Sequence, residues 1–162
     1  RMYITGLGRG MLARDGQFHP HFIPSNAFYY FVAPLWTAPK DGFLGLGYDP
    51  LGLSLFVGSP LTVYALVGLI RGRKNRLVRD AAIGVAVCLV PLLMYFNTGF
   101  WQFGHRFCQD YMPMLMILMI AGMTPGRWTA PIALTVLSIG IQAVGVLCDP
   151  VTQLPEWLTP KF

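Results

Sequence analysis

Residues 64–84 read Tyr64-Ala65-Leu66-Val67-Gly68-Leu69-Ile70-Arg71-Gly72-Arg73-Lys74-Asn75-Arg76-Leu77-Val78-Arg79-Asp80-Ala81-Ala82-Ile83-Gly84. An apolar run breaks into a tight basic cluster and then resumes. Five of the chain's twelve lysines and arginines fall here, at Arg71, Arg73, Lys74, Arg76 and Arg79. No aromatic residue is interleaved with them, and a protein that tracks nucleic-acid phosphates needs a broader basic face. A short cytoplasmic loop between two membrane spans accounts for the cluster instead. Working outward, apolar segments cover about 51–70 and 77–96, and two more follow at about 107–123 and 128–148. Each approaches the ~20 residues that a helix needs to cross a bilayer.

Composition points the same way. Hydrophobic residues make up 54% of the 162 positions and charged residues 12%, with a mean hydropathy of +0.53. Soluble domains carry about 25% charged residues, so a globule of this composition would lack the polar surface to solvate itself. The expected fold is all-α: a polytopic membrane protein with four transmembrane helices plus a short interfacial helix. The expected divisions are a non-cytoplasmic loop with the interfacial helix (1–50), a four-helix transmembrane region (51–148) and a non-cytoplasmic tail (149–162). Orientation follows from the basic residues. The 71–79 loop holds five and the 124–127 turn holds Arg127, whereas the 97–109 loop holds only Arg106. The positive-inside rule therefore places the first two in the cytoplasm and both ends of the chain outside.

Local signals refine this outline. Ser25 or Asn26 is expected to cap a short helix over residues 27–32, too short to cross. Tyr29, Tyr30 and Trp36 suit the headgroup region, where amphipathic rings are enriched. Pro60, Pro91 and Pro113 interrupt three of the spans, and Pro131 falls in the first turn of the fourth, where proline is tolerated. Pro60 removes a backbone donor, so the freed carbonyl needs a hydroxyl or a neighbouring helix, and Ser59 and Thr62 are close by. The chain starts at Arg1 with no initiator Met, basic n-region or cleavage site, and so reads as the interior of a longer protein. Cys88, Cys108 and Cys148 are odd in number and lack C-x-x-C spacing, which excludes a disulfide framework. A single Cys108–Cys148 bridge at the outer span ends stays open.

The richest chemistry lies in the outer loop between the second and third spans. There Asn97, Gln102, His105, Arg106, Gln109 and Asp110 sit among aromatic residues at the membrane surface. Arg106 can bind a phosphate or pyrophosphate through forked hydrogen bonds. Asp110 can orient Arg106 or bind a hydroxyl, and the aromatics can hold a lipid tail or a sugar face. The plainer alternative is an i,i+4 pair of Arg106 and Asp110 at a helix start, in the weaker order and worth only ~0.2–0.5 kcal/mol. The candidate substrate-binding residues are Arg106, Gln102, His105 and Asp110; no catalytic residue is assigned. His19 and His21 lack a third ligand at metal spacing, so no metal and no cofactor are expected. Gly6, Gly8 and Gly10 lack the strand and lysine of a phosphate loop. Asp41 and Asp49 fit turns, and the methionines of the third span fit packing.

Several stretches also resemble a known family. Phe22-Ile23-Pro24-Ser25-Asn26-Ala27-Phe28-Tyr29-Tyr30 with Ala33-Pro34 is similar to an outer-face motif of bacterial polytopic glycosyltransferase-like proteins. So are Asp49-Pro50-Leu51-Gly52-Leu53-Ser54-Leu55 with Ser59-Pro60, and Tyr95-Phe96-Asn97-Thr98-Gly99 through Gln102-Phe103-Gly104-His105-Arg106-Phe107, Asp110 and Pro113. Together, over about 18–148, they resemble the C-terminal part of a GT-C-type membrane glycosyltransferase, which uses a polyprenyl-phosphate-linked sugar as donor. His105, more usually a tyrosine, and Cys108 depart from that pattern.

The resemblance implies residence in the bacterial cytoplasmic membrane, a role in the cell envelope and inverting displacement at the anomeric carbon. It also implies a catalytic carboxylate in an early outer loop that this sequence does not include. The partners implied are the lipid bilayer, the polyprenyl-phosphate-linked sugar and a missing N-terminal transmembrane part, with no nucleic acid. Such a chain alone would be inactive. Two other classes stand beside this one: a transporter or flippase segment, and a non-catalytic membrane assembly subunit.

Overall fold

The computed structural model describes residues 15–35, 37–39, 46–48, 52–97, 103, 106–147 and 149–150. Their framework is helical. A 3₁₀ turn, Pro20–Phe22, leads into α1 (Ile23–Ala27) and a π-helical turn, Phe28–Val32. Next come α2 (Leu55–Gly58), a 3₁₀ turn Pro60–Thr62, α3 (Val63–Arg71), α4 (Arg76–Met94), a 3₁₀ turn Arg106–Tyr111, α5 (Met112–Gly122) and α6 (Thr129–Leu147). Three short strands add what an all-α expectation omits. Thr37–Pro39 (β1) pairs antiparallel with Leu46–Tyr48 (β2), and β2 pairs in parallel with Asp149–Pro150 (β3). The residues after α6 are thus joined to the loop that precedes α2.

Two helices, α4 and α6, are long and apolar enough to cross a membrane: each has 19 residues, with a mean hydropathy of 2.0 over its most apolar window. Core helices of soluble proteins can match that length, but they are mostly buried. Here only 11% and 6% of the two windows are buried, and Val87 and Val146 are 66% and 85% exposed. Water would strongly disfavour so extensive an apolar surface, whereas lipid would not. The second and fourth apolar segments thus become α4 and α6 within two residues of the expected limits.

The first and third segments are each divided. The first breaks at Ser59 (φ −141°, ψ 76°), because Pro60 has no N–H with which to continue α2. The break leaves backbone groups that need partners. Thr62 Oγ1 donates to Ser59 O at 2.7 Å, and Gln142 Nε2 reaches across from α6 to Gly58 O at 2.9 Å. Thr62 fills the role expected of a hydroxyl near Pro60, and the neighbouring helix supplies Gln142. The third segment opens as the 3₁₀ turn at Arg106 and becomes α-helical only at Met112, with Pro113 in its first turn.

Against α3 and α4 packs α5, which is apolar on every side: one face meets those helices and the other, with Met116 and Ile120, is exposed, as a lipid-facing side would be. Leu115, Leu118 and Met119 pack with Ala65 of α3 and with Val78 and Ala81 of α4. The tightest contact is between α3 and α5. A Cβ on Gly68 would overlap the carbonyl oxygen of Leu118, and one on Gly122 would overlap that of Tyr64. Small residues at such a crossing let two backbones touch, which is how helices gain packing energy where water supplies no driving force. At the C-termini of the same helices, Arg71 Nη1 donates to Gly122 O at 3.2 Å and to Thr124 Oγ1 at 3.3 Å. The 71–76 and 122–129 connections therefore lie at one end of the bundle, with α3 and α5 parallel.

Gly68→Val and Gly122→Val are each expected to cost at least about 1–3 kcal/mol, because backbone atoms must move to admit the side chain. Gly140→Ala in α6, where no atom lies within 4 Å of the added Cβ, is expected to be neutral or slightly stabilising. Thermal denaturation of the purified variants checks both.

Candidate functional site

The end of the bundle opposite Arg71 is built around the C-terminus of α4. A helix ends with four carbonyls that lack helical partners, and in a crowded apolar setting each needs a donor. The segment 17–30 supplies them. Asn26, 2% exposed, directs Nδ2 at Tyr95 O (2.7 Å), Leu93 O (2.8 Å) and Leu92 O (3.3 Å). Tyr30 Oη donates to Leu92 O at 3.3 Å, and His19 N donates to Met94 O at 2.8 Å. Phe96 N returns a bond to Gln17 O at 2.9 Å, and Phe18 bridges Tyr95 in antiparallel fashion. Burial, with Tyr95 close by, holds the Tyr30 phenol above the ordinary tyrosine range, so its hydroxyl remains a donor at any physiological pH.

These contacts correct two expectations. Ser25 and Asn26 do not cap the helix; the helical run already begins at Pro20, capped by His19, whose Nδ1 accepts from His21 N at 3.1 Å. Asn26 sits inside the run, facing α4. Tyr29 and Tyr30 are likewise buried rather than spread on a headgroup surface. They pack with Ala33 against Leu89, Leu92, Leu93 and Phe107. The signal for this was present: a lone asparagine amid aromatic residues marks a polar group that must find backbone partners once buried.

Other strands of the chain meet at the same end. Ser54 N donates to Ala33 O at 3.0 Å, and Leu53 N donates to Phe103 O at 2.8 Å. Tyr95 packs its ring near Phe96 (4.8 Å between centroids), Phe18 (5.3 Å) and Phe107 (6.4 Å). The stretches around 22–33, 53–55 and 95–97, with Phe103 and Phe107, are thereby drawn together from separate parts of the chain.

Of the substrate-binding candidates, the described residues include Asp110 and the backbone of Arg106. Arg106 opens the 3₁₀ turn that leads into α5, and Asp110 lies exposed in the same turn. The Arg106 side chain, Gln102 and His105 lie outside the described residues, as do Trp36, Asp41, Asp49, Trp101 and the glycines at 6, 8 and 10. Cys108 carries a free thiol, as Cys88 does, so the bridge between Cys108 and Cys148 is not formed. A concave feature, about 690 Å³ in volume, lies at the Arg71 end, between α3 and the start of α6. No family model, no curated protein and no solved structure matches the chain.

Asn26→Ala is expected to cost about 1–3 kcal/mol by stranding buried carbonyls, and Tyr30→Phe about 0.5–1.5 kcal/mol. Faster amide hydrogen exchange around residues 92–96 in Asn26→Ala, measured by mass spectrometry, would locate the damage at the end of α4.

Proposed function

We propose that this chain is a membrane-embedded segment of a glycosyltransferase that takes its sugar from a polyprenyl-phosphate donor at the outer face of the bacterial cytoplasmic membrane. The observation that carries this reading is the junction at the end of α4. It brings together the described residues of the three stretches whose sequences resemble the GT-C outer-face motifs: Asn26 with Tyr95, Ser54 with Ala33, and Tyr30 with Phe107 at the start of the Arg106–Tyr111 turn. A lipid-linked donor needs an aromatic-lined surface at the membrane boundary for its isoprenoid and sugar, and a cation for its phosphate. In this proposal Arg106 contacts the phosphate, and Gln102, His105 and Asp110 surround the sugar. The catalytic base is a carboxylate supplied from elsewhere in the intact protein.

The proposal includes four crossings. The run Pro60–Arg71 continues α2 across its break, and Phe107–Gly122 spans roughly 26 Å at the usual rise of 3₁₀ and α turns. The 71–76 and 122–129 connections share the basic end, and positive-inside orientation makes that end cytoplasmic. A transporter segment, the second reading, draws on the broken helix at Ser59–Pro60, since paired broken helices line transport sites. Thr62 and Gln142 already occupy the freed carbonyls, which favours a structural break.

Arg106→Ala in the intact protein is expected to lower sugar transfer from a polyprenyl-phosphate donor by about ten- to a hundredfold, the loss of one charge-assisted contact. Resistance to carbonate extraction should be unchanged. Full transfer by Arg106→Ala would sink the assignment of the phosphate contact. Single cysteines at Lys74 and Asn97, in a background without the native thiols, should label from opposite sides of sealed cells. Labelling from one side would refute the orientation.

A further inference from the structure

The cleft at the Arg71 end is distinct from the outer junction and is not used by the proposed transfer. It forms because α6 touches its neighbours in its second half, through Gln142 and Gly58, and stands apart from α3 toward its own N-terminus. One wall is the α3 stripe that includes Val63 and Val67; the other is the first two turns of α6, with Ala130 and Leu134. The α3 wall, which also carries Tyr64, runs for about 12 Å from Val63 to Arg71, and the α6 wall is apolar for about 6 Å from Ala130 to Leu134. At the mouth the chemistry changes. Arg71, Arg127, Thr124 and Thr129 line it, and the amino end of the 19-residue α6 adds a partial positive charge there.

Arg71 is held in place by the two hydrogen bonds from its Nη1, and a guanidinium carries five N–H donors in all. Among the described residues neither Arg71 nor Arg127 meets a carboxylate. Asp80, the acid nearest in sequence to the basic loop, pairs instead with Arg76 at 3.6 Å. A cationic, hydroxyl-bearing mouth beside the apolar side chains of Val63, Val67, Ala130 and Leu134 matches a molecule with an anionic phosphate at one end and an acyl chain at the other.

We infer that the α3–α6 cleft binds an anionic glycerophospholipid of the cytoplasmic leaflet, its phosphate between Arg71 and Arg127 and its acyl chain along Val67 and Leu134. Basic pockets between helices on the cytoplasmic side are suited to such headgroups. This inference rests on the membrane reading and on the orientation proposed above. The bound lipid fills a space that protein side chains leave open, and it ties α6, otherwise held mainly at its outer half, to α3.

Trp128 stands between two residues of the mouth and is 56% exposed, which makes it a local reporter. The test uses the whole chain with Trp36, Trp101 and Trp157 changed to phenylalanine, reconstituted in phosphatidylcholine vesicles. Brominated phosphatidylglycerol and brominated phosphatidylcholine are each titrated in as the quencher. The expected result is half-maximal quenching at a several-fold lower mole fraction of the brominated phosphatidylglycerol. Arg127→Gln should reduce that preference by about fivefold, the contribution of one arginine near an anionic headgroup. Arg127→Lys should keep most of it, and Leu134→Trp, read by native mass spectrometry of retained lipid, should displace the lipid.

Equal quenching by the two lipids overturns the lipid site while leaving the membrane reading intact. So does a protein that resists carbonate extraction yet shows no quenching, since the cleft would then be covered by protein. Release by carbonate overturns the membrane reading itself.

Discussion

At the crossing of α3 and α5 two helix backbones touch with no side chain between them. Gly68 and Gly122 face each other's helices so closely that a methyl group on either would occupy the position of a carbonyl oxygen. That contact sets α5 against α3, with α4 packed beside them, and it determines which end of each of these helices lies where. Arg71 then reaches the last carbonyl of α5, closing the pair. Where burial of apolar surface from water supplies no drive, van der Waals contact of this kind and hydrogen bonds between elements must carry the assembly.

Both ends of the molecule inherit their character from this arrangement. At one, the end of α4 presents carbonyls that the 17–30 segment covers with Asn26, Tyr30 and His19. The same cover brings aromatic residues of three separate stretches together: Phe18, Tyr29 and Tyr30; Tyr95 and Phe96; and Phe107. At the other, α6 follows a tight turn whose Gly126 adopts a positive φ of 78°. Its first turns stand apart from α3, and it meets its neighbours farther along, at Gln142. The cleft is the consequence, cationic because the connections at that end are basic.

Polar groups inside the bundle follow one rule. Each break in helical hydrogen bonding lies near a side chain able to repair it: Thr62 and Gln142 at Ser59–Pro60, Asn26 at the end of α4, Arg71 at the end of α5. In an apolar medium an unpartnered carbonyl is costly, so the placement of these few polar residues is tied to the placement of the breaks. Past Arg76, Arg79 and Asp80 in the first turns of α4, the exposed surface of α4 and α6 is mostly apolar.

Hydropathy alone located the long helices: α4 and α6 match the runs at 77–96 and 128–148 to within two residues, because a periodic hydrogen-bonded helix follows from an uninterrupted apolar stretch of that length. The need for a donor near Pro60 was also legible, since proline's missing N–H is a local fact. Pairings between distant residues were not. Nothing near Asn26 in sequence indicates that its carboxamide ends up on carbonyls 66 to 69 residues away, and a cap at its own helix start was the local reading. Nor does a glycine in an apolar run announce that another backbone lies against it. Sequence determined the elements and the placement of charge, which depend on neighbours along the chain. Only the tertiary structure decided which carbonyls are covered, which helices touch and where a cleft remains, because those depend on neighbours in space.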